Sequence, residues 1–197
     1  VAPIFVKENI SVAVPNYSLC PKVTIEEIVK QMLSCLKYLY LNADQLGFDR
    51  NRIYIAGHSA GGQLVTQLMC ALWPLYDKRL PINLINGGLS LSGIHDMQMI
   101  MQTPYLQGDL KLTKQAVAKL STAYLRPNLK TKLIAAVGGD ESSEFIRQTQ
   151  LIADAWPKQL EKMMILINKN HLSAVLELAQ KDSSLVKSVL KLIKAKK

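Results

Sequence analysis

The run Ile53-Tyr54-Ile55-Ala56-Gly57-His58-Ser59-Ala60-Gly61-Gly62 constrains this chain more than any other stretch. A short β-branched and aromatic segment ends at Gly57. After Gly62, Leu64, Leu68, Met69 and Leu72 recur at helical spacing. Gly-x-Ser-x-Gly therefore sits between a predicted strand and a predicted helix. That context reads as a turn so tight that only glycine fits on either side, at Gly57 and Gly61. It holds Ser59 strained, with its hydroxyl exposed at the C-terminal edge of a sheet. The first free N–H of the helix, that of Ala60, would point at the place where a negative oxygen develops.

The rest of the chain alternates in the same way. Residues 10–15 read as a buried strand. Thr24 caps a helix that runs to about Asn42, with Glu27 as the other half of a capping box. Further strands are predicted at 89–92, 132–137 and 163–167. The first ends in a loop at Gly93, the other two are each followed by a helix, and Ser142 or Ser143, and later Asp182 or Ser183, are the candidate caps. Residues 96–131 show short helical pieces and no strand pattern, as in an insertion that covers a binding site. Continuous apolar strands alternating with amphipathic helices predict an α/β fold: a mostly parallel sheet with helices on both faces, as one domain over residues 1–197.

In open α/β sheets, functional residues collect where strands end. Three polar candidates fall there: Ser59, the Asp140–Glu141 pair and His171. Their order is nucleophile, acid, base. Ser59 needs a base to take its proton, and His171 fills that role. A carboxylate would fix the imidazole tautomer, either Glu141 or Asp140. Glu141, three residues after the strand-ending Gly138, has the better offset. His58 lies within the turn, with its side chain expected to point away from the nucleophile. His95 also ends a strand and is a rival base that breaks the order.

Composition narrows the remaining classes. The net charge of +9 comes from lysines spread along the chain, apart from Lys191, Lys194, Lys196 and Lys197. They are not interleaved with aromatics and read as solvated helix faces rather than a nucleic-acid surface. No apolar run approaches the ~18 residues of a membrane span. The three cysteines, Cys20, Cys35 and Cys70, are scattered and show no metal-ligand spacing with the histidines, which predicts no metal site and a reducing, cytoplasmic setting. The chain begins at Val1 rather than methionine, which reads as a processed chain or a piece of a longer one.

Several stretches resemble the kynurenine formamidase-like branch of the α/β-hydrolase esterases. They are Val12-Ala13-Val14-Pro15-Asn16-Tyr17-Ser18-Leu19-Cys20-Pro21, Asp49-Arg50-Asn51-Arg52-Ile53 leading into Gly57-His58-Ser59-Ala60-Gly61-Gly62, Leu91-Ser92-Gly93-Ile94-His95-Asp96, Glu144-Phe145-Ile146-Arg147-Gln148-Thr149 and His171-Leu172-Ser173. The Glu-Phe-x-Arg-Gln segment is the most distinctive. The resemblance implies an α/β-hydrolase fold, a triad of Ser59, Glu141 and His171, no cofactor, and hydrolysis of a small-molecule ester or amide. The substrate would be N-formylkynurenine, in tryptophan breakdown, or a short-chain or aryl ester. Neither nucleic acid nor membrane is an expected partner, and a homodimer is allowed for. The family's His-Gly-Gly segment, which supplies further oxyanion donors, has no counterpart before Ile10, and the first strands of the fold are absent with it. A gap between the strand at 10–15 and that at 53–58 is the expected result. The alternative is a truncated or degenerate non-catalytic relative that acts as a binding module.

Overall fold

The computed structural model describes residues 1–128 and 130–195. Four strands form one parallel sheet in the order β1-β2-β3-β4: β1 (Ile53–His58), β2 (Ile85–Leu91), β3 (Lys132–Gly138) and β4 (Leu160–Leu166). Five helices matter most for the site. They are α1 (Ile25–Leu41), α2 (Ala60–Met69), α3 (Ser143–Ala155), α4 (His171–Leu176) and α5 (Ser184–Lys194).

The sheet is covered on both faces because its central strands are buried along almost their whole length. In β3, Leu133 and Ala135 join a core with Leu36 of α1, Val65, Leu68 and Met69 of α2, and Ile152 of α3. The alternate residues Ile134 and Ala136 join Ala174 of α4 and Leu185, Val189 and Leu192 of α5 on the other face. Adjacent strand residues point to opposite sides, so a strand without polar positions needs two helical layers.

Two of the predicted helix caps form, at Thr24 and Ser183, whereas Ser142 stands at the N-cap of α3 without a side-chain capping hydrogen bond. Thr24 Oγ1 accepts the Glu27 N–H at 3.2 Å. The Glu27 carboxylate turns instead to Lys30, 3.3 Å away. Ser183 rather than Asp182 caps α5, accepting from the Val186 N–H. Residues 96–131 fold into the short helices Gln98–Met101, Pro104–Leu110 and Lys114–Leu120 and a 3-10 turn at Thr122–Tyr124. Met97, Leu112, Val117 and Leu120 pack there with Ile25 and Val29 of α1.

Two expectations are corrected. Residues 10–15 form no strand: Asn9 turns the chain at φ 59°, and residues 11–15 are exposed, Val14 by 82%. A strand exists only through its ladder, and among the described residues nothing pairs with this stretch. The sheet accordingly has no internal gap, and β1 forms one of its edges. Conversely, β2 begins at Ile85, four residues before its expected start, and runs through Gly87-Gly88. A Cβ on Gly88 would lie 2.8 Å from Val65 Cγ1 and 3.1 Å from Met69 Sδ, so α2 lies directly on the backbone there. Lys196 and Lys197 of the basic C-terminus lie outside the described residues.

Candidate active site

The site is assembled at the C-terminal ends of β1, β2, β3 and β4. Ser59 follows β1 directly at φ 58°, ψ −118°, a conformation that side chains other than glycine avoid. Its N–H remains tied to the sheet through Leu91 O at 2.8 Å, while its carbonyl accepts the Gly62 and Gln63 N–H groups that start α2. Ala60 is the first residue of α2, so its N–H has no acceptor within the helix. A Cβ on Gly57 would overlap the Gly61 backbone, as expected of a tight elbow. The expectation for Gly61 is corrected: a Cβ there meets open space. The second crowded position is Gly62, where a Cβ would come 2.7 Å from Gly93 Cα.

The acid and base come together from β3 and β4. His171 Nδ1 lies 2.6 Å from Glu141 Oε2, and the Glu141 side chain is fully buried. The other oxygen, Oε1, accepts the Gly138 N–H at 2.8 Å and the Ser92 hydroxyl at 2.5 Å. Asp140 is exposed, and its backbone N–H donates to Lys169 O. The contact between the two loops depends on Gly138, where a Cβ would overlap the Lys169 carbonyl. His171 is the first residue of α4 and is oriented by its neighbours. The Asn170 side chain accepts from the Leu172 and Ser173 N–H groups, and Ser173 Oγ accepts the Asn170 N–H. Lys169 pairs with Glu177 at 2.7 Å across the same turn.

The His171 ring lies between two others. Phe145 of α3 is 4.4 Å from it and His58 4.5 Å, centroid to centroid. His58 is therefore not directed away from the site. Its Nε2 is buried without a hydrogen-bond partner, and burial, with the charge of His171 second, holds its pKa below the usual histidine value. An imidazole in that setting stays neutral. Phe145 belongs to the Glu-Phe-x-Arg-Gln segment, and so do two anchors. Gln148 Oε1 accepts the His95 and Asp96 N–H groups at 2.7 and 2.8 Å, and its Nε2 donates to Asp96 O. Arg147 bridges Glu144 and Asp96.

His95 is not at the site. It is 1% exposed beneath the elbow, with Nδ1 near the Thr66 and Thr122 hydroxyls and Nε2 near that of Ser90, all at 3.2–3.3 Å. Burial pushes its pKa down to about 3. Three roles were not legible as sequence: Ser92 on the carboxylate, and Phe145 and His58 against the imidazole. All three lie in stretches that carry the family resemblance, but only Phe145 lies in a segment that the fold alone does not require.

This arrangement sets a strained serine at a helix N-terminus, with a histidine and carboxylate at adjacent strand ends. Residues 3–155 match the model of a family described as having the alpha/beta hydrolase fold, and the chain belongs to that family. Among particular proteins, it is 27% identical to the kynurenine formamidase of Danio rerio, over 97% of this chain and 64% of that protein. It is 24% identical to the kynurenine formamidase of Salmo salar, over 95% and 64%. The fold matches the crystal structure of a putative thioesterase from Silicibacter with a TM-score of 0.74 and 27% identity, covering 89% of this chain and 62% of that one. It also matches a thermostable carboxylesterase from a metagenomic library at a TM-score of 0.70 and 16% identity, over 90% and 66%. The chain thus spans 64% of the length of these two curated formamidases.

Proposed function

We propose that the chain belongs to a serine hydrolase that cleaves a small ester or amide through an acyl-enzyme, acting on N-formylkynurenine or on short-chain or aryl esters. The observation that carries this reading is the His171–Glu141 pair, a 2.6 Å contact to a fully buried carboxylate at strand ends beside the Ser59 elbow. With Nδ1 donating to Glu141, Nε2 is the nitrogen free to move protons.

Ser59 Oγ attacks the carbonyl carbon as its proton passes to His171 Nε2. The Ala60 N–H donates to the resulting oxyanion; losing one such donor typically costs ~10²–10³ in rate. The bond to the leaving group breaks as Nε2 returns the proton to it. Water then attacks the acyl-enzyme by the same route and releases the acid and Ser59. Glu141 holds the ring in the right tautomer and balances the imidazolium. Asp140, exposed and outside this contact, has no part in it. The formamidase relatives favour a formyl amide as substrate and the tryptophan-breakdown pathway. Cys20, Cys35 and Cys70 are unpaired, in keeping with a reducing cytoplasmic setting. Residues 96–131 act as the cap beside the site.

The protein is incubated with a fluorophosphonate ester and its adducts are mapped by mass spectrometry. One adduct on Ser59, absent in Ser59→Ala, is the expected result, with N-formylkynurenine and aryl acetate hydrolysis both lost in that variant. Hydrolysis by Ser59→Ala at the wild-type rate overturns the reading.

A further inference from the structure

The proposed mechanism uses one oxygen of Glu141. The other faces Ser92, a residue that neither the family match nor the relatives assign to any role. Ser92 follows β2 and is completely buried. Its backbone stands at φ 51°, in the left-handed region, and its N–H continues the ladder to Ala136 O at 2.7 Å. Glycine adopts that region freely and a serine does not. Glycine is also the next residue, Gly93. A strained side chain at a buried strand end, where glycine would relieve the strain, marks a position held for what the side chain does.

The hydroxyl sits 2.5 Å from Glu141 Oε1. Together with the Gly138 N–H on Oε1 and His171 Nδ1 on Oε2, it gives the buried carboxylate donors on both oxygens. A glutamate side chain has three rotatable bonds. The Gly138 N–H holds one oxygen from β3, its own strand, whereas the Ser92 hydroxyl holds it from β2. Two donors from different strands fix the plane of the carboxylate, and so fix where Oε2 meets the imidazole.

We propose that Ser92 is a positioning residue for Glu141, a fourth link after Ser59, His171 and Glu141, kept at the expense of local backbone strain. The proposal rests on the serine-hydrolase reading for its effect on rate, but not for its effect on Glu141. A hydrogen bond from a neutral donor to a buried charge is among the stronger kinds, and its loss is worth about 10- to 100-fold in kcat.

The test compares Ser92→Gly with Ser92→Ala. Glycine removes the hydroxyl and relieves the strain, while alanine removes the hydroxyl and keeps the strain. Two properties are read: kcat and KM for the best substrate, and the low-field proton resonance of the His171 Nδ1–H shared with Glu141, in protein carrying ¹⁵N-histidine. The expected result is that both variants lose about 10- to 100-fold in kcat with KM little changed. Both also shift or broaden the resonance, while Ser92→Gly, relieved of the strain, melts above Ser92→Ala. A merely structural serine gives a Ser92→Gly protein with wild-type kcat and an unmoved resonance, and that overturns the proposal. The resonance is independent of Ser59. If it moves in both variants while Ser59→Ala still hydrolyses substrate, the hydrolase reading fails and the hold of Ser92 on Glu141 stands.

Discussion

Ser59, Ser92 and Asn168 hold left-handed backbone conformations at the ends or just past the ends of β1, β2 and β4, at φ 58°, 51° and 56°. The two serines each cost about 1–2 kcal/mol relative to relaxed backbone, while asparagine enters this region more readily. Of the five non-glycine residues at positive φ among the described residues, these three share one edge of one sheet while Asn9 and Lys111 lie elsewhere, and that clustering is a residue-level mark of the candidate site. Close approach marks it too, but not at every glycine of Gly-x-Ser-x-Gly. Gly57→Ala sets a Cβ into the Gly61 backbone, and a shift of the elbow is expected to cost about 2–3 kcal/mol. Gly61→Ala sets a Cβ into open space in the first turn of α2, and is expected to stabilise by about 0.4–1 kcal/mol. Urea midpoints of the two variants check this directly. Equal loss in both would mean that the turn is crowded on both sides of the serine after all.

At the scale of the element, α3 does more than cover the sheet. Its first two turns set Phe145 against the His171 ring and clamp the loop after β2 through Gln148. Gln148 is 2% exposed, so Gln148→Leu keeps the volume but leaves the His95 and Asp96 N–H groups without their acceptor. The expected loss is about 2–4 kcal/mol, seen as a lower unfolding midpoint, because each abandoned buried donor costs about 1–3 kcal/mol. A loss below about 0.5 kcal/mol would show that the clamp is dispensable. Much at this scale could be read from the chain. The helix caps at Thr24 and Ser183, the alternation of strand and helix, and the serine–acid–histidine order all rest on local chemistry. What could not be read depends on neighbours. Residues 10–15 have the composition of a strand but no ladder to join. Gly87-Gly88 has the composition of a turn but lies within β2, because α2 needs bare backbone beneath Val65 and Met69. The offset from Gly138 favours Glu141 over Asp140 already in the sequence, but the physical reason is tertiary: Gly138 lets the loop carrying His171 come within reach of one carboxylate, and the other is left in solvent.

For the molecule as a whole, the residues of the proposed triad follow β1, β3 and β4, in a chain that spans 64% of the length of the Danio rerio formamidase. No helix among the described residues is long and apolar enough to cross a membrane. The sheet presents β1, the strand that leads to Ser59, at its edge. Just behind the elbow lies His95, sealed among three hydroxyls and held neutral by burial. Proton uptake therefore competes with folding. Above the ordinary histidine pKa of about 6.5, neither the folded nor the unfolded chain carries this proton and the full stability is present. Between there and about 3, only the unfolded chain binds it. Stability should fall on acidification by up to about 1.4 kcal/mol per pH unit from this one ring. His95→Gln removes that contribution, so its unfolding free energy should decline less steeply from pH 6 to pH 4, and equal slopes would dismiss the idea. The ring buried behind Ser59 would then also make this fold sensitive to acid, through its contacts with Thr66, Ser90 and Thr122.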